Sequence, residues 1–433
     1  AHRVDMQADY DDISLKEGLS VEESFRLAVI EAVDKICEIS QEGPTVVGLS
    51  IKWAAVEVAK TIIEGVRNGA QEEILYVLGN IGATFGYEDL LTIDPFQGAI
   101  AVVGEGEEAL SRIVARAVNQ NGGFSNASSY ADIPNVAVNI EGTPTVGSIE
   151  RVDLDQYPPG LNDSADLYNK AWDVHCLDTS RGCPWSCCTF CSVKGQFGGG
   201  ENSGWQPFPE EVVLGNMKDL VEQGVRKFDI QDSEFFGPVR SKNGQEDPFW
   251  ETMARAKRLA QGLKDINSEL EEGDKATIHH MSARVDTIHS VGEDEKNATR
   301  EEVYSLLKEA GLKGVYLGIE SGSKSQLRRF GKGVSVEENK MALEIMRRLG
   351  FQIEVGFIFF DYLATMEELQ ENVEFIEETE LYKTDSRILG SLRVQEGSPY
   401  KKMARNKGLL GKKHDDFLGY KCDFLNDDVS VIF

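Results

Sequence analysis

Four cysteines lie within nine residues of this chain, and this cluster constrains the fold and the chemistry more than any other feature. They stand in the run Arg181-Gly182-Cys183-Pro184-Trp185-Ser186-Cys187-Cys188-Thr189-Phe190-Cys191. With only 7 Cys in 433 residues, the chain has no disulfide framework that would explain such a cluster. Thiols at this spacing are more typical of a metal site, which a short loop closes at little entropic cost.

The spacing favours an iron–sulfur cluster over two alternatives. A structural zinc site needs four ligands, usually as two separated pairs, and the sequence has no second Cys-x-x-Cys or His pair at that distance. Inert packed thiols are the other alternative. A cube bound by three thiolates would use three of the four cysteines.

The loop resembles the radical S-adenosylmethionine (SAM) superfamily, whose signature is Cys-x3-Cys-x2-Cys with an aromatic residue before the last Cys. Phe190 occupies the aromatic position. The spacing departs by one residue, because it reads as Cys183-x3-Cys187-x3-Cys191 or as Cys183-x4-Cys188-x2-Cys191. We favour Cys183, Cys187 and Cys191 as ligands. The resemblance implies a 4Fe-4S cluster whose fourth iron is chelated by SAM.

The charge limits the partners. The formal net charge is −28. Neutralising phosphates needs clustered Lys and Arg, so we expect neither nucleic acid nor an anionic membrane surface as a partner. A cationic substrate would suit this charge, although acidity also simply keeps a surface soluble. Since no apolar run is long enough to span a membrane and the N-terminus lacks an apolar signal core, we expect a cytoplasmic protein.

The first part of the chain alternates between helix and strand patterns. Strands are predicted at 45–51, 74–78 and 99–103, with helices at 21–39, at 56–66 and from Glu107. This order is typical of a doubly wound parallel sheet. Two glycine turns, Leu78-Gly79-Asn80-Ile81-Gly82 and Val103-Gly104-Glu105-Gly106-Glu107, follow strands at the edge where open sheets bind ligands.

Upstream of such a cysteine loop, this segment resembles the cobalamin-binding domain of the B12-binding radical SAM class. We therefore predict an α/β fold with a Rossmann-like domain at residues 1–121. A connector follows at 122–165, with a hairpin turning at 141–144, then a radical SAM barrel at 166–400 and a C-terminal extension at 401–433. Cobalamin is a doubtful cofactor, because no Asp-x-His-x-x-Gly run supplies an axial ligand and the bulky Lys52-Trp53 follows the first strand.

Beyond the connector, six strand-like segments alternate with helical stretches. They lie at 174–177, 227–230, 276–281, 314–319, 352–359 and 388–393. Six such units resemble the partial (β/α)6 TIM-like barrel of the radical SAM fold. In barrels of parallel strands, the reactive groups lie at the carboxyl ends of the strands.

The resemblance implies SAM contacts at several of these ends. After the second strand, Asp232-Ser233-Glu234 stands where the family receives the SAM ammonium, with a helix cap as the alternative. Ser282-Ala283-Arg284-Val285-Asp286 is similar to a Ser-x-Arg-x-Asp segment whose Arg faces the SAM carboxylate, a role that suits a planar fork. Gly318-Ile319-Glu320-Ser321-Gly322 follows the fourth strand. The predicted SAM contacts are Phe190, Ser233, Glu234, Ser282, Arg284, Glu320 and Ser321.

Three residues are candidates for catalytic groups on the substrate side. Asp361 and Tyr362 follow the fifth strand, and His280, beside His279, ends the third. The alternatives are that Asp361 caps the next helix, that the aromatic rings close the barrel, and that the histidines only pack.

The resemblance implies that SAM is cleaved reductively to a 5′-deoxyadenosyl radical, which takes hydrogen from the substrate. The nearest group is the radical SAM diol dehydratases of deoxy-aminoglycoside antibiotic biosynthesis, so we expect dehydration of a small polar, sugar-like and cationic substrate. Cobalamin-dependent C-methylation is the main alternative, and a zinc-stabilised binding module is a distant one. The expected partners are an electron donor of the flavodoxin or ferredoxin type and a separate reductase for the product.

Overall fold

The N-terminal part is built on a five-stranded sheet of order β1-β2-β3-β4-β5. The structure is a computed structural model that describes residues 20–52, 55–70, 73–119, 124, 126–156, 174–197, 204–241, 246–385, 387–415 and 417–433. The strands are β1 (Thr45–Ser50), β2 (Ile74–Gly79), β3 (Ile100–Val102), β4 (Val136–Ile140) and β5 (Thr143–Val146). The first three are parallel, which confirms the predicted strand order, and the last two are antiparallel.

Helices cover both faces of this sheet. They are Val21–Ser40, Ala55–Gly69, Asn80–Leu90 and Glu107–Val118. Alternate residues of β2 enter separate cores, with Tyr76 and Leu78 on one face and Leu75 and Val77 on the other. Each fully buried side chain of this size contributes about 1.5–3 kcal/mol. The sheet is therefore doubly wound, as predicted.

The predicted turn at 141–144 is confirmed, but its hairpin extends the N-terminal sheet and is not a free connector. Glu141 and Gly142 have φ angles of 50° and 87°. These are the left-handed conformations that a tight hairpin turn requires. Since β4 pairs with β3, the sheet continues beyond residue 121. Residues 157–165 of the expected connector, and residues 166–173 after it, lie outside the described residues, and the domain bounds stay a prediction.

The second part carries two parallel sheets, arranged as a partial barrel, and one antiparallel ribbon. Its strands are β6 (His175–Leu177), β7 (Ser180–Arg181), β8 (Gln206–Pro207), β9 (Lys227–Ile230), β10 (Thr277–His280), β11 (Ser282–Arg284), β12 (Gly314–Glu320) and β13 (Gln352–Phe357). Two parallel sheets have the orders β10-β9-β6 and β11-β12-β13, and β7 pairs with β8 as an antiparallel ribbon. The predicted third strand is thus split at Met281, because β10 pairs back to β9 and β11 pairs forward to β12.

Helices alternate with these strands and cover their outer side. They are Glu210–Glu222, Phe249–Ser268, Asp294–Ala310, Val336–Arg348 and Met366–Glu378. In β12, Val315, Leu317 and Ile319 enter the outer core, so Gly318 and Glu320 face the other side. Within the described part of the chain, no helix is long and apolar enough to cross a membrane.

The sixth predicted strand, at 388–393, is wrong. This segment forms only a single parallel bridge between Ser391 and Phe360. Its continuation, β14 (Val394–Gln395), turns away to pair antiparallel with a C-terminal hairpin. That hairpin consists of β15 (Leu410–Lys413) and β16 (Gly419–Cys422). The backbone bonds of 388–393 to the segment after β13 are limited to those of Gly390 and Leu392, and sequence periodicity does not reveal where such pairing stops.

Candidate active site

The cysteine loop follows β7 and is fixed by neighbouring segments. Gly182 has a φ of 85°, and a Cβ there would lie 2.5 Å from the carbonyl oxygen of Gly204, so only glycine fits. Thr189 donates its amide to the carbonyl of Phe330 at 2.8 Å. The amide of Tyr400 donates to the carbonyl of Thr189 at 2.7 Å. The loop is therefore tied to the chain that follows β12 and β14.

The four thiols of the loop differ in burial. Cys187 is exposed, whereas Cys183, Cys188 and Cys191 are half-buried. Burial raises the pKa of Cys191 to about 11, and the charges of Cys188 and Cys183 act in the same direction. Cys183 and Cys188 are therefore near enough to Cys191 for their charges to act on its thiol. Cys187 instead is exposed, directly after Ser186, whose φ is 49°, and its role as a ligand stays a prediction.

The arrangement fits an iron–sulfur cube. The thiolates of such a cube bind separate irons. Among the described residues, no three or more His, Cys, Asp or Glu side chains are grouped to hold a single metal ion. Burial raises the pKa of Cys188, and the positive charges of Lys332 and Arg284 oppose this. Both cations are buried, so they would offset the negative charge of a bound cluster.

Arg284 forms a bidentate pair with Asp286. Its Nε and Nη2 donate to the two carboxylate oxygens of Asp286 at 2.9 and 3.1 Å, and Nη2 also donates to the carbonyl of Lys332 at 3.0 Å. The guanidinium lies 4.8 Å from the ring centroid of Trp185 in the cysteine loop. Arg284 is thus beside the thiols, while its contact with a SAM carboxylate stays a prediction.

Glu320 ends β12 in a left-handed conformation with a φ of 64°, which costs energy for a residue with a side chain. Its Oε1 accepts a hydrogen bond from Lys332 Nζ at 3.0 Å. Two glycines make room for this pair. A Cβ on Gly318 would lie 2.5 Å from Lys332 Nζ, and one on Gly356 would lie 3.2 Å from Glu320 Oε2.

Lys332 is a candidate that the sequence analysis missed. Its side chain is buried, and its positive charge acts on Cys188. The flanking Gly331 and Gly333 have φ angles of 63° and 73°. Trp185 Nε1 donates to the carbonyl of Gly331 at 2.7 Å, which links the cysteine loop to the lysine. A lysine between two glycines after the fourth strand was the available sequence signal.

Two predicted SAM contacts are engaged within the protein. The hydroxyl of Ser321 is buried, lies 2.9 Å from Asn372 Oδ1 and accepts the amide of Ser323 at 2.9 Å. Phe190 packs edge-on against Phe330, with ring centroids 5.4 Å apart. Ser321 therefore orders the turn after β12, and Phe190 fixes the last part of the cysteine loop.

The two predicted SAM contacts after β9 lie in different places, Glu234 in the core and Ser233 at a cavity. Glu234 is fully buried and accepts the amides of Arg284 at 2.7 Å and Phe236 at 3.2 Å. Burial raises its pKa to about 8, against the charge of Arg284. Ser233 lines a cavity instead. Ser282, in β11, is half-buried.

Asp361 and Tyr362 are both engaged with the C-terminal segment, and their catalytic role stays a prediction. Asp361 is fully buried and accepts from Arg329 Nη2 and from the Tyr400 hydroxyl, each at 2.6 Å. Tyr362 packs against Phe424, with ring centroids 4.9 Å apart. Both residues connect the end of β13 to the C-terminal segment, a contact that local sequence cannot show.

His280 lies on the inner, polar side of the barrel. Its backbone pairs with Asp229 of β9, and its ring centroid is 5.9 Å from that of Tyr316. Both His279 and His280 are half-buried. A catalytic role for His280 stays a prediction.

A cavity of about 320 Å³ lies where the N-terminal sheet meets the barrel. Its lining includes Asn80, Glu105, Glu107, Asp178, Arg181 and Ser233. Arg181 crosses this space, since its Nη1 donates to Glu105 at 3.0 Å and its Nη2 donates to Glu107 at 2.5 Å. The two glycine turns predicted to bind a ligand therefore do face the barrel, across a narrow and charged gap.

The end of β1 also bears on this region. Lys52 is exposed, and its charge opposes the rise in the pKa of Cys176 that burial causes. Trp53 lies outside the described residues. Ile51 is fully buried against Gly82, where even a Cβ would clash with it. The space between β1 and the helix after β2 is therefore filled by protein.

Residues 177–376 match the Radical SAM superfamily. The chain contains a radical SAM domain. The matched residues include the cysteine loop, Arg284, Glu320 and Lys332. A radical SAM domain implies a 4Fe-4S cluster and SAM as cofactors, as predicted.

Known proteins are similar to the chain well beyond this radical SAM domain. The 4′-phospho-dehydrooxetanocin synthase of Priestia megaterium is 27% identical over 384 residues, which are 84% of this chain and 47% of that protein. The hopanoid C-3 methylase of Methylococcus capsulatus is 24% identical over 354 residues, 77% of this chain and 56% of that protein. The chain thus spans about half the length of these relatives.

Two solved structures share the fold. OxsB, a cobalamin-dependent SAM radical enzyme with aqua-cobalamin and SAM bound, has a TM-score of 0.78 at 22% identity, over 100% of this chain and 63% of that one. The methyltransferase TsrM from Kitasatospora setae has a TM-score of 0.64 at 17% identity, over 95% of this chain and 75% of that one. These likenesses confirm the predicted α/β fold class.

Proposed function

We propose that this chain is a radical SAM enzyme that dehydrates a small polar substrate, with Cys183, Cys188 and Cys191 as its cluster ligands. The observation that carries the proposal is the meeting of three half-buried thiols with the buried cations Lys332 and Arg284. The radical SAM domain supports the general reaction. The ligand set and the dehydration are our inferences.

When bound, the cluster and SAM supply a 5′-deoxyadenosyl radical, given an electron from a donor of the flavodoxin or ferredoxin type. The residues of the protein then bind and orient these two cofactors. The three thiolates hold the cluster, and the Lys332 ammonium beside Cys188 offsets its negative charge. Arg284 and Glu320 are the candidate contacts for SAM. The ring of Trp185, in the cysteine loop, packs against Arg284.

The cavity between sheet and barrel is our candidate for the substrate site. The carboxylates of Glu107 and Asp178 face it, with Ser233 as a hydroxyl donor. At about 320 Å³ it suits one small molecule. An acidic lining attracts a cationic, sugar-like compound. His280 is the remaining candidate for the acid or base that assists loss of water.

We infer that a corrinoid would have to displace protein side chains to enter this space. The cavity has the volume of a small-ligand pocket, and a corrin ring with its nucleotide tail is much larger than a drug-sized ligand. The pairs of Arg181 with Glu105 and Glu107 cross the gap. Ile51 fills the space next to Gly82. We therefore propose that turnover needs no cobalamin.

Cobalamin-dependent methylation is the second candidate. It is favoured by the likeness to OxsB and TsrM, of which the first is described with aqua-cobalamin bound. In that case Arg181 would have to leave Glu105 and Glu107 to open the gap, and the glycine turns after β2 and β3 would face the corrin.

Product analysis separates the two candidates. Protein reconstituted anaerobically with iron and sulfide is incubated with SAM, a reductant and a panel of amino sugars, with and without cobalamin. The proposal predicts 5′-deoxyadenosine without cobalamin, no S-adenosylhomocysteine, and a product that has lost one water. A product that has gained a methyl group, or cobalamin bound at one per chain, would favour the methyltransferase. Bound zinc with no iron–sulfur absorbance would leave only a binding module.

A further inference from the structure

We infer that the N-terminal sheet holds the cysteine loop in position, through Glu105 on the side before the loop and Phe85 on the side after it. This inference rests on the proposed cluster site and adds a role for the N-terminal part that requires no bound cobalamin. Glu105 is a positioning residue, since it acts on the cysteines through Arg181.

Glu105 is a buried carboxylate with every oxygen engaged. Its side chain is 2% exposed. One oxygen accepts from Arg181 Nη1 at 3.0 Å. The other accepts from Arg151 Nε at 2.7 Å and from the amide of Val152 at 3.0 Å. A carboxylate held by two guanidiniums and one amide fixes both arginines with little freedom.

Both arginines contact the two-stranded ribbon whose first strand, β7, precedes the first cysteine, Cys183. Arg181 is in β7, just before Cys183, and its backbone pairs with Gln206 of β8. Arg151 donates to the Gln206 side chain at 3.3 Å and to the carbonyl of Gly204 at 3.0 Å. The ribbon of β7 and β8 is therefore held by side chains of both arginines. A shift of Glu105 would move the entry to the loop.

A second contact lies just after the last cysteine. Phe85 belongs to the helix that follows β2. A Cβ on Gly195 would lie 2.8 Å from the Phe85 ring, and one on Gly397 would clash with the same ring. Gly195 is in the short helix that begins after Cys191. The N-terminal part thus contacts the chain on both sides of the cysteines. Before the loop the contact is the ion pair of Glu105 with Arg181, and after the loop it is the packing of Phe85 against Gly195.

The test uses Glu105→Gln, with Asp132→Asn as a control in an exposed arginine–carboxylate pair. Asp132 also forms a bidentate pair, at 2.5 and 2.9 Å with Arg116, in the same sheet region but away from the loop. Both variants are reconstituted anaerobically, and the rate of iron transfer to a chelator is followed. We expect at least fivefold faster loss in Glu105→Gln and the wild-type rate in Asp132→Asn. The EPR spectrum of the reduced cluster should change only in Glu105→Gln.

A third variant separates position from charge. Glu105→Asp keeps the carboxylate but is one methylene too short to reach Arg181 and Arg151 together, so we expect fast iron loss here as well. Wild-type rates in Glu105→Gln, or fast loss in Glu105→Gln with wild-type behaviour in Glu105→Asp, would overturn the inference. Equal acceleration in Asp132→Asn would also overturn it. Wild-type protein that takes up no cluster would instead refute the proposed function.

Discussion

Replacing Asp361 by Asn tests whether this carboxylate supports the fold or the reaction. The Asp361 side chain is fully buried, and Arg329 donates to it at 2.6 and 3.2 Å. Arg329 also pairs with Glu368, at 2.6 and 2.8 Å. Removing one partner of a buried ion pair costs about 3–5 kcal/mol, and we expect the lower end because Glu368 remains. Domains are stable by only about 5–15 kcal/mol, so this loss is large.

The assay measures two quantities on the same protein. Urea unfolding gives the change in the free energy of the barrel transition, and anaerobic turnover gives 5′-deoxyadenosine formed per bound cluster at low temperature. We expect Asp361→Asn to unfold at lower urea but to keep most of its turnover per cluster. Glu371→Gln, on the exposed side of the neighbouring helix, should change neither quantity. Unchanged unfolding together with abolished turnover would show that Asp361 is catalytic after all.

Three further predictions concern the thiols, the buried lysine and the buried acid. Cys188→Ala should lose the iron–sulfur absorbance and Cys187→Ala should keep it, and the opposite pattern would support the spacing favoured from the sequence. Lys332→Met should weaken SAM binding roughly tenfold or more in calorimetry, because it removes the charge-assisted bond that holds Glu320, a candidate SAM contact, and such a bond is worth about 1.5–3 kcal/mol. The raised pKa of Glu234, about 8 against 4.5, means that the native state binds the extra proton. Stability should therefore fall as pH rises from about 4.5 to 8, by up to about 1.4 kcal/mol per pH unit. Glu234→Gln should remove that slope in urea unfolding at pH 6 and 7.5, and an unchanged slope would assign it to other groups.

The elements that sequence predicted well are those fixed by local periodicity. β1, β2 and β9 alternate or run as short apolar segments between turn residues, and the structure has them near the expected bounds. The split of the third strand was not predictable, because it depends on which neighbour each half pairs with. The sixth strand was predicted wrongly for the same reason, since its formation also depends on pairing with a neighbour.

The site shows the same limit. The cysteine loop and its cofactors followed from spacing and resemblance, but the choice between Cys187 and Cys188 depends on which thiol faces the interior. Lys332 reaches the thiols from a loop distant in sequence. Asp361 follows a strand end, as a catalytic acid would, but it accepts a hydrogen bond from the hydroxyl of Tyr400 in the C-terminal segment. Tertiary contacts of this kind are not encoded in a local pattern.

The central claim is that the chain performs radical SAM chemistry with a cluster on Cys183, Cys188 and Cys191 and without cobalamin. The most direct measurement is 5′-deoxyadenosine formation from SAM by anaerobically reconstituted, corrinoid-free protein in the presence of a reductant. We predict repeated turnover, lost in Cys188→Ala and retained in Cys187→Ala. No 5′-deoxyadenosine until cobalamin is added, or full activity in Cys188→Ala, would contradict this account.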